Sequence, residues 1–326
     1  MKKTVGKVLA AVYAWLVWLW QSSFRWFPKR ARKVNARVIS IGNITWGGTG
    51  KTPLVIKIAR ELSEGGKKVA VLTRGYGRDE VKELEKKLPG VPVIVGGDRV
   101  RSALEAIEKH RAEVLLLDDG FQHLRLERDL DVVMLNASEP FGPGGLIPLG
   151  TLREPLANLA RADLFVLTKC DIGSKNVHWI RQKLNAIKPN ALIFEAVHKP
   201  VVLKDTLRDH TMPLTGLRGR RVAALSGIGD PYSFEKTVEF LGAEVVFAAR
   251  YEDHHPFRRP ELVSFVRKAR KMGLQEAVTT DKDAIRLLPF LSSGAPDELR
   301  SFTFWALEIQ FQVNDEEDFI RRCLHS

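Results

Sequence analysis

Short apolar runs alternate along the chain with longer stretches of mixed polarity. Arg37 to Gly42 (RVISIG) reads as a buried strand, and strand-like runs follow at 68–73, 92–96, 113–117, 131–135 and 163–168, separated by helical stretches. Strands that take turns with helices predict a parallel sheet. After roughly residue 200 the alternation resumes at 221–225, 245–248 and 277–279, and 302–311 reads as a final strand. The chain contains no internal repeat and no low-complexity tract. At 326 residues and 44% hydrophobic content it can form two α/β domains, each with its own core, which excludes a disordered chain.

One apolar run does not fit this alternation. Val8 to Trp20 (VLAAVYAWLVWLW) is thirteen residues long, with Lys2, Lys3 and Lys7 before it and Arg25, Lys29, Arg30, Arg32 and Lys33 after it. A single membrane span needs roughly 20 apolar residues. Trp15, Trp18, Trp20 and Trp26 are of the type favoured at headgroup depth, so the expectation is a monotopic helix lying in a membrane interface. A signal peptide would share the basic start and the apolar run, but Phe24-Arg25-Trp26-Phe27-Pro28 follows and no A-x-A-like cleavage site does. A helix packed into a core explains the apolar run but not its basic flanks.

Charge sharpens this expectation. The formal net charge is +12, yet residues 1 to 60 hold twelve Lys and Arg and no acid, and the rest of the chain sets 39 basic residues against 39 acidic ones. Nucleic-acid binding usually spreads basic residues over a groove, whereas this surplus flanks an apolar run, which points to anionic lipid. Cys170 and Cys323 match no metal-ligand or CxxC spacing, so neither a disulfide framework nor a zinc site is expected, and a reducing, cytoplasmic setting fits.

The first strand runs into Asn43-Ile44-Thr45-Trp46-Gly47-Gly48-Thr49-Gly50-Lys51-Thr52, followed by Pro53 and a helical stretch to about Leu62. A phosphate-binding loop needs small residues that let backbone N–H groups surround oxygens, a Lys for the β- and γ-phosphates, and a hydroxyl for Mg²⁺. Gly47, Gly48, Gly50, Lys51 and Thr52 provide these, with Thr45, Trp46 and Thr49 completing the candidate ATP-binding loop. The loop is a variant: the general pattern puts glycine where Thr45 stands. Val114 to Leu117 ends in Asp118-Asp119, a pair placed to hold a metal or its waters.

These features resemble the tetraacyldisaccharide 4'-kinase family. The segments that carry the resemblance are GNITWGGTGKTP (42–53), LTRGYGR (72–78), PVIVGGDRV (92–100), DDGFQHLRLERD (118–129), FGPGGLIPLGTLREP (141–155), DHHPF (253–257) and TTDKDAIRL (279–287). The resemblance implies a P-loop-containing α/β/α domain (35–200), a second, smaller α/β domain (201–326) that closes the active-site cleft, and an N-terminal membrane-associating helix (1–34). It implies an ATP- and Mg²⁺-dependent lipid kinase that phosphorylates the 4'-hydroxyl of a lipid A disaccharide 1-phosphate at the cytoplasmic face of the bacterial inner membrane. The expected partners are that substrate and an anionic membrane surface, with no nucleic acid and a monomeric chain.

The resemblance also implies roles. The family places its catalytic base in a GDEP motif; Arg78-Asp79-Glu80-Val81 stands there, with Arg in place of Gly and Val in place of Pro, and Asp79 is the candidate base. Read locally, Asp79-Glu80 is also an acidic helix start. One of His254 and His255 is expected to pair with that Asp. Asp118 and Asp119 are catalytic and metal candidates together with Thr52, and Glu80, Gln122, His123 and Arg153 are candidates for substrate contact or support. Arg153 could neutralise phosphate charge or pair with Glu154 at the surface. TTDKDAIRL suggests no particular chemistry.

Two other functions compete. Thr168-Lys169-Cys170-Asp171 resembles the [NT]KxD guanine-reading motif and would suit a membrane-associated GTPase switch. A metal phosphohydrolase built on Asp118, Asp119, His254 and His255 would use the P-loop only for regulation.

Overall fold

The computed structural model describes residues 2–27, 30–47, 49–75, 78–253, 255–292 and 294–325; the side chains of residues 2–5, 25, 78–80, 198 and 325 are not described. The chain divides into two units, residues 1–197 with 311–326, and residues 198–310.

The first unit opens with helix α1 (Lys2–Trp26) and continues β1 (Arg37–Asn43), α2 (Lys51–Glu64), β2 (Val69–Thr73), α3 (Arg78–Lys87), β3 (Val93–Val95), α4 (Arg99–His110), β4 (Val114–Asp118), β5 (Leu130–Asn136), β6 (Leu164–Thr168), α5 (Ser174–Ile187) and β7 (Leu192–Asp205). Its strands pair in the order β7-β6-β5-β1-β4-β2-β3, all parallel. Alternate residues of each strand serve opposite faces. Ile39, Ile41, Val114, Leu116, Val132 and Met134 pack with α2 on one side, while Val38, Leu115, Leu117, Val133 and Leu135 pack on the other. Burial on both faces is why these strands are almost uniformly apolar in sequence.

Strand order reverses at β1, which lies between β4 and β5. In open parallel sheets the crevice outside the strand ends at such a point is where ligands bind. The glycine loop leaves β1 there, and Asp118 ends β4 beside it.

The second unit contains the later part of β7, β8 (Thr211–Met212), β9 (Arg221–Ser226), α6 (Pro231–Phe240), β10 (Glu244–Arg250), α7 (Arg259–Lys271), β11 (Glu276–Thr280), α8 (Asp281–Leu291), α9 (Asp297–Arg300) and most of β12 (Thr303–Val313). The order is β10-β9-β11-β12-β7, with β8 antiparallel on β7. Phe265, Phe302 and Phe304 dominate one of its cores.

Both expected α/β domains are present, but the division differs at the C-terminus. The end of β12 and helix α10 (Glu316–His325) return to the first unit, where Phe319 and Cys323 are fully buried and Phe319 meets Phe194 edge-on at 5.2 Å. Arg37 Nε donates to the Cys323 carbonyl at 2.8 Å, and Lys57 pairs with Glu316. The second unit therefore spans 198–310 rather than 201–326, because the apolar face of α10 has its partner on α2 and β7. Cys170 and Cys323 are both free thiols and buried. Burial pushes the Cys170 thiol up to about 11 and that of Cys323 up to about 12, so neither is a reactive thiolate near neutral pH.

Candidate active site

The P-loop is held open by backbone geometry that only glycine adopts easily. Gly47 has φ 129° and Gly50, the residue before α2, has φ 80°. Thr45 forms an antiparallel bridge with Leu152, Trp46 N–H donates to the Thr151 carbonyl at 2.7 Å, and Arg153 N–H donates to the Ile44 carbonyl at 2.8 Å. The glycine loop and the LREP segment thus run side by side. Trp46 is 71% exposed at this rim, Thr49 and Thr52 are buried, and Gly48 lies outside the described residues. Thr168 Oγ1 donates to the Thr49 carbonyl at 3.2 Å, bracing the loop from the end of β6.

Four side chains close a ring at the ends of β1 and β4. Lys51 Nζ donates to Asn43 Oδ1 at 3.3 Å and lies 3.6 Å from Asp119 Oδ1. Arg153 Nη1 donates to the same Asn43 oxygen at 3.2 Å and grips both oxygens of Asp119, at 2.7 and 3.0 Å. Burial by itself would raise the pKa of Asp119, but the Lys51 charge and the Arg153 hydrogen bonds outweigh it and hold the carboxyl below its usual range. Two cations are therefore fixed at the start of α2, where the helix N-terminus adds its own attraction for anions.

The adjacent carboxylates diverge. Asp118 ends β4, is buried, and accepts from Thr73 Oγ1 at 3.3 Å, while Arg99 donates to its backbone carbonyl. Asp119 turns away at φ 57° to meet Arg153. The two candidate carboxylates thus face different partners, with both oxygens of Asp119 on Arg153 and Asp118 on Thr73.

Behind Arg153 stands a residue whose part the sequence reading missed. Glu154, 1% exposed, accepts from Gln21 at 2.6 Å, Gln122 at 2.8 Å, Asn158 at 2.9 Å and Arg161 at 2.9 and 3.2 Å. The alternative of a surface Arg153–Glu154 pair is thus replaced by two separate networks on neighbouring residues. Gln122 also donates to the Asn43 carbonyl at 3.0 Å, joining them. Asn43 and Glu154 both lie in segments that carry the family resemblance, GNITW and LREP, and that was the available signal.

His123 lies just beyond, with Nε2 buried and without a hydrogen-bond partner among the described residues. Burial, aided by the Arg99 charge, pushes its pKa down to about 4 from the ordinary 6.5, so the ring is a neutral imidazole at neutral pH. Below 6.5 the unfolded chain takes up a proton that the folded chain refuses until about 4, so His123 should cost stability across that window and nothing above it. Denaturant titrations at about pH 7 and about pH 5 should show a larger loss for the wild type than for His123→Asn; equal pH dependence would refute the assignment.

The tetraacyldisaccharide-1-P 4'-kinase family model matches residues 3–325. The chain belongs to the tetraacyldisaccharide 4'-kinase family. It is 42% identical over 292 residues to the tetraacyldisaccharide 4'-kinase of Anaeromyxobacter dehalogenans, covering 83% of this chain and 77% of that one. It is 37% identical over 313 residues to that of Halothermothrix orenii, covering 86% and 81%. Its fold is similar to the crystal structure of LpxK from Aquifex aeolicus in complex with ATP, with a TM-score of 0.74, 27% identity and 99% of each chain covered.

Family membership leaves the guanine-reading interpretation of Thr168-Lys169-Cys170-Asp171 without support, and the bond from Thr168 to the P-loop supplies a structural use for that strand end. Asp79 and Glu80 fall in the first turn of α3; their side chains are outside the description, as is His254. In the second unit His255 Nε2 lies 3.0 Å from Glu261 and its ring stacks on Tyr251 at 4.6 Å. The TTDKDAIRL segment, for which the sequence suggested no chemistry, is built into that unit's frame. Thr280 caps α8 and donates to Asp283, and the buried Asp283 accepts the Gly227 N–H at 3.0 Å.

Proposed function

We propose that the protein transfers the γ-phosphate of ATP to the 4'-hydroxyl of a tetraacyldisaccharide 1-phosphate, giving lipid IVA, in the lipid A branch of lipopolysaccharide synthesis. The observation that carries this reading is the Lys51–Asn43–Arg153–Asp119 ring beside the P-loop, in a chain that matches the kinase family over nearly its whole length. Phosphoryl transfer needs little covalent chemistry from the protein and depends on positioning and charge stabilisation. Lys51 and Arg153 supply two held cations, and the N–H groups at the start of α2 supply donors for phosphate oxygens.

The Thr52 hydroxyl and the Asp118 carboxylate are buried oxygen donors of the hard type that Mg²⁺ prefers, and they would hold it with water filling its remaining positions. Bound there, the ion would neutralise phosphate charge. Asp79 would accept the proton of the 4'-hydroxyl. One of His254 and His255 would support that base; in the second unit His255 also engages Glu261 and Tyr251.

The acceptor is a lipid, and α1 suits delivery from a lipid surface. Its outward residues Val8, Leu9, Val12, Trp15, Leu16, Trp18 and Leu19 are all at least 40% exposed, an inversion of the usual amphipathic arrangement. No helix among the described residues is long and apolar enough to cross a membrane. We propose a place at the cytoplasmic face of the inner membrane, where the lipid acceptor would be met, with α1 lying in the interface and its basic flanks on anionic headgroups, each basic residue contributing about 1 kcal/mol.

Acceptor-dependent release of ADP tests this reading. ATP with the lipid disaccharide should give turnover, and GTP should support it poorly. Equal nucleotide hydrolysis without any acceptor would favour a nucleotide switch instead.

A further inference from the structure

The inward face of α1 is as informative as the outward one. Gly6, Ala10, Tyr13, Ala14, Val17 and Gln21 recur at helical spacing and are the more shielded positions. Small side chains alone would seat a helix, yet this face carries two polar groups, and both reach the LREP segment. The Tyr13 hydroxyl donates to the Arg153 carbonyl at 2.7 Å. Gln21 Nε2 donates to Glu154 at 2.6 Å, and Gln21 Oε1 accepts from Asn158 at 2.7 Å. A third contact is steric: a Cβ on Gly6 would come within 2.5 Å of Leu149, three residues before that segment.

These contacts complete the fixation of Arg153. Its N–H is tied to the P-loop at Ile44, its carbonyl to α1 at Tyr13, and its guanidinium to Asp119 and Asn43. Burial raises the pKa of Tyr13, so its O–H persists as a donor through the neutral range. A hydrophobic anchor would need neither hydrogen bond, because an apolar inward face would seat the helix without any group to satisfy.

We infer that Tyr13 and Gln21 are positioning residues for phosphoryl transfer, which fix Arg153 through its carbonyl and through Glu154 and so tie the placement of α1 on a lipid surface to the alignment of the catalytic cations. The inference rests on the kinase reading and on the lipid-surface reading of α1. It adds to them that the helix is part of the catalytic alignment as well as an anchor. An acceptor drawn from the surface on which α1 lies then meets an Arg153 already set by that surface.

The test uses the full chain carrying Tyr13→Phe, Gln21→Leu and both together, with acceptor presented in vesicles of phosphatidylethanolamine and phosphatidylglycerol. Misplacement of a positioning group lowers kcat, so the double variant should lose about tenfold or more in kcat with KM for ATP within about twofold. Co-sedimentation with the vesicles should stay at the wild-type value, and the thermal midpoint should fall only by the cost of the lost hydrogen bonds to Glu154 and Asn158, staying above the assay temperature. Combining Gln21→Leu with Glu154→Gln should cost less than the product of the separate losses, since both act through one network. Unchanged kcat in the double variant overturns the inference, as does a loss matched by lost vesicle binding, which would make α1 an anchor only. Should the double variant unfold, Tyr13→Phe alone decides by the same criteria, because it removes one oxygen and keeps the ring. A wild-type chain that transfers no phosphate is a separate outcome and removes the kinase reading itself.

Discussion

Lys51→Ala is expected to lower kcat for phosphoryl transfer by about 10²–10³-fold, the loss typical of deleting one preorganised charge-stabilising group. The side chain stands at the first position of α2, directly after the left-handed Gly50, and is oriented by Asn43 and Asp119. That arrangement is set before any charge develops, so removing the ammonium forfeits stabilisation that water cannot restore at the moment of transfer. The fold should survive, because Asp119 retains both bonds from Arg153. Steady-state kinetics with the thermal midpoint as control checks this. Activity within about tenfold of wild type would mean that the P-loop is not the transfer site.

Glu154→Ala should destabilise the first unit by about 3 kcal/mol, toward the lower end of what breaking a buried ion pair costs, because Arg161 keeps some contact with solvent. The carboxylate gathers donors from four residues, and its removal leaves three amides and a guanidinium without that partner. The stacking of Arg161 on Phe121, 4.4 Å from its ring centroid, would persist and offset part of the loss. Chemical denaturation measures the change. A cost below about 1 kcal/mol would show that the network is dispensable.

Much of this was legible in sequence because the physics is local. Arg37–Asn43 reads as a strand since a parallel strand covered on both faces has no polar side to confuse the pattern, and the glycine loop reads as a phosphate cradle since left-handed backbone selects glycine at Gly47 and Gly50. Asp118 was visible as the acidic end of an apolar strand. The different part played by Asp119 was not, because it depends on a single left-handed turn and on Arg153, 34 residues away.

The hub at Glu154 was illegible for the same reason: Gln21 lies 133 residues before it. Composition marked α1 as apolar and tryptophan-rich, but which face turns outward follows from tertiary contacts at Tyr13 and Gln21 that no periodicity displays. The return of α10 to the first unit likewise rests on the burial of Phe319 and Cys323 against elements formed far earlier in the chain.

The most direct test of the central claim is label transfer from γ-labelled ATP to tetraacyldisaccharide 1-phosphate by the full chain in the presence of Mg²⁺. The expected product is a lipid carrying the label at the 4' position, formed in proportion to enzyme and lost with Lys51→Ala. Label appearing only as inorganic phosphate, with the lipid unmodified, would contradict the assignment.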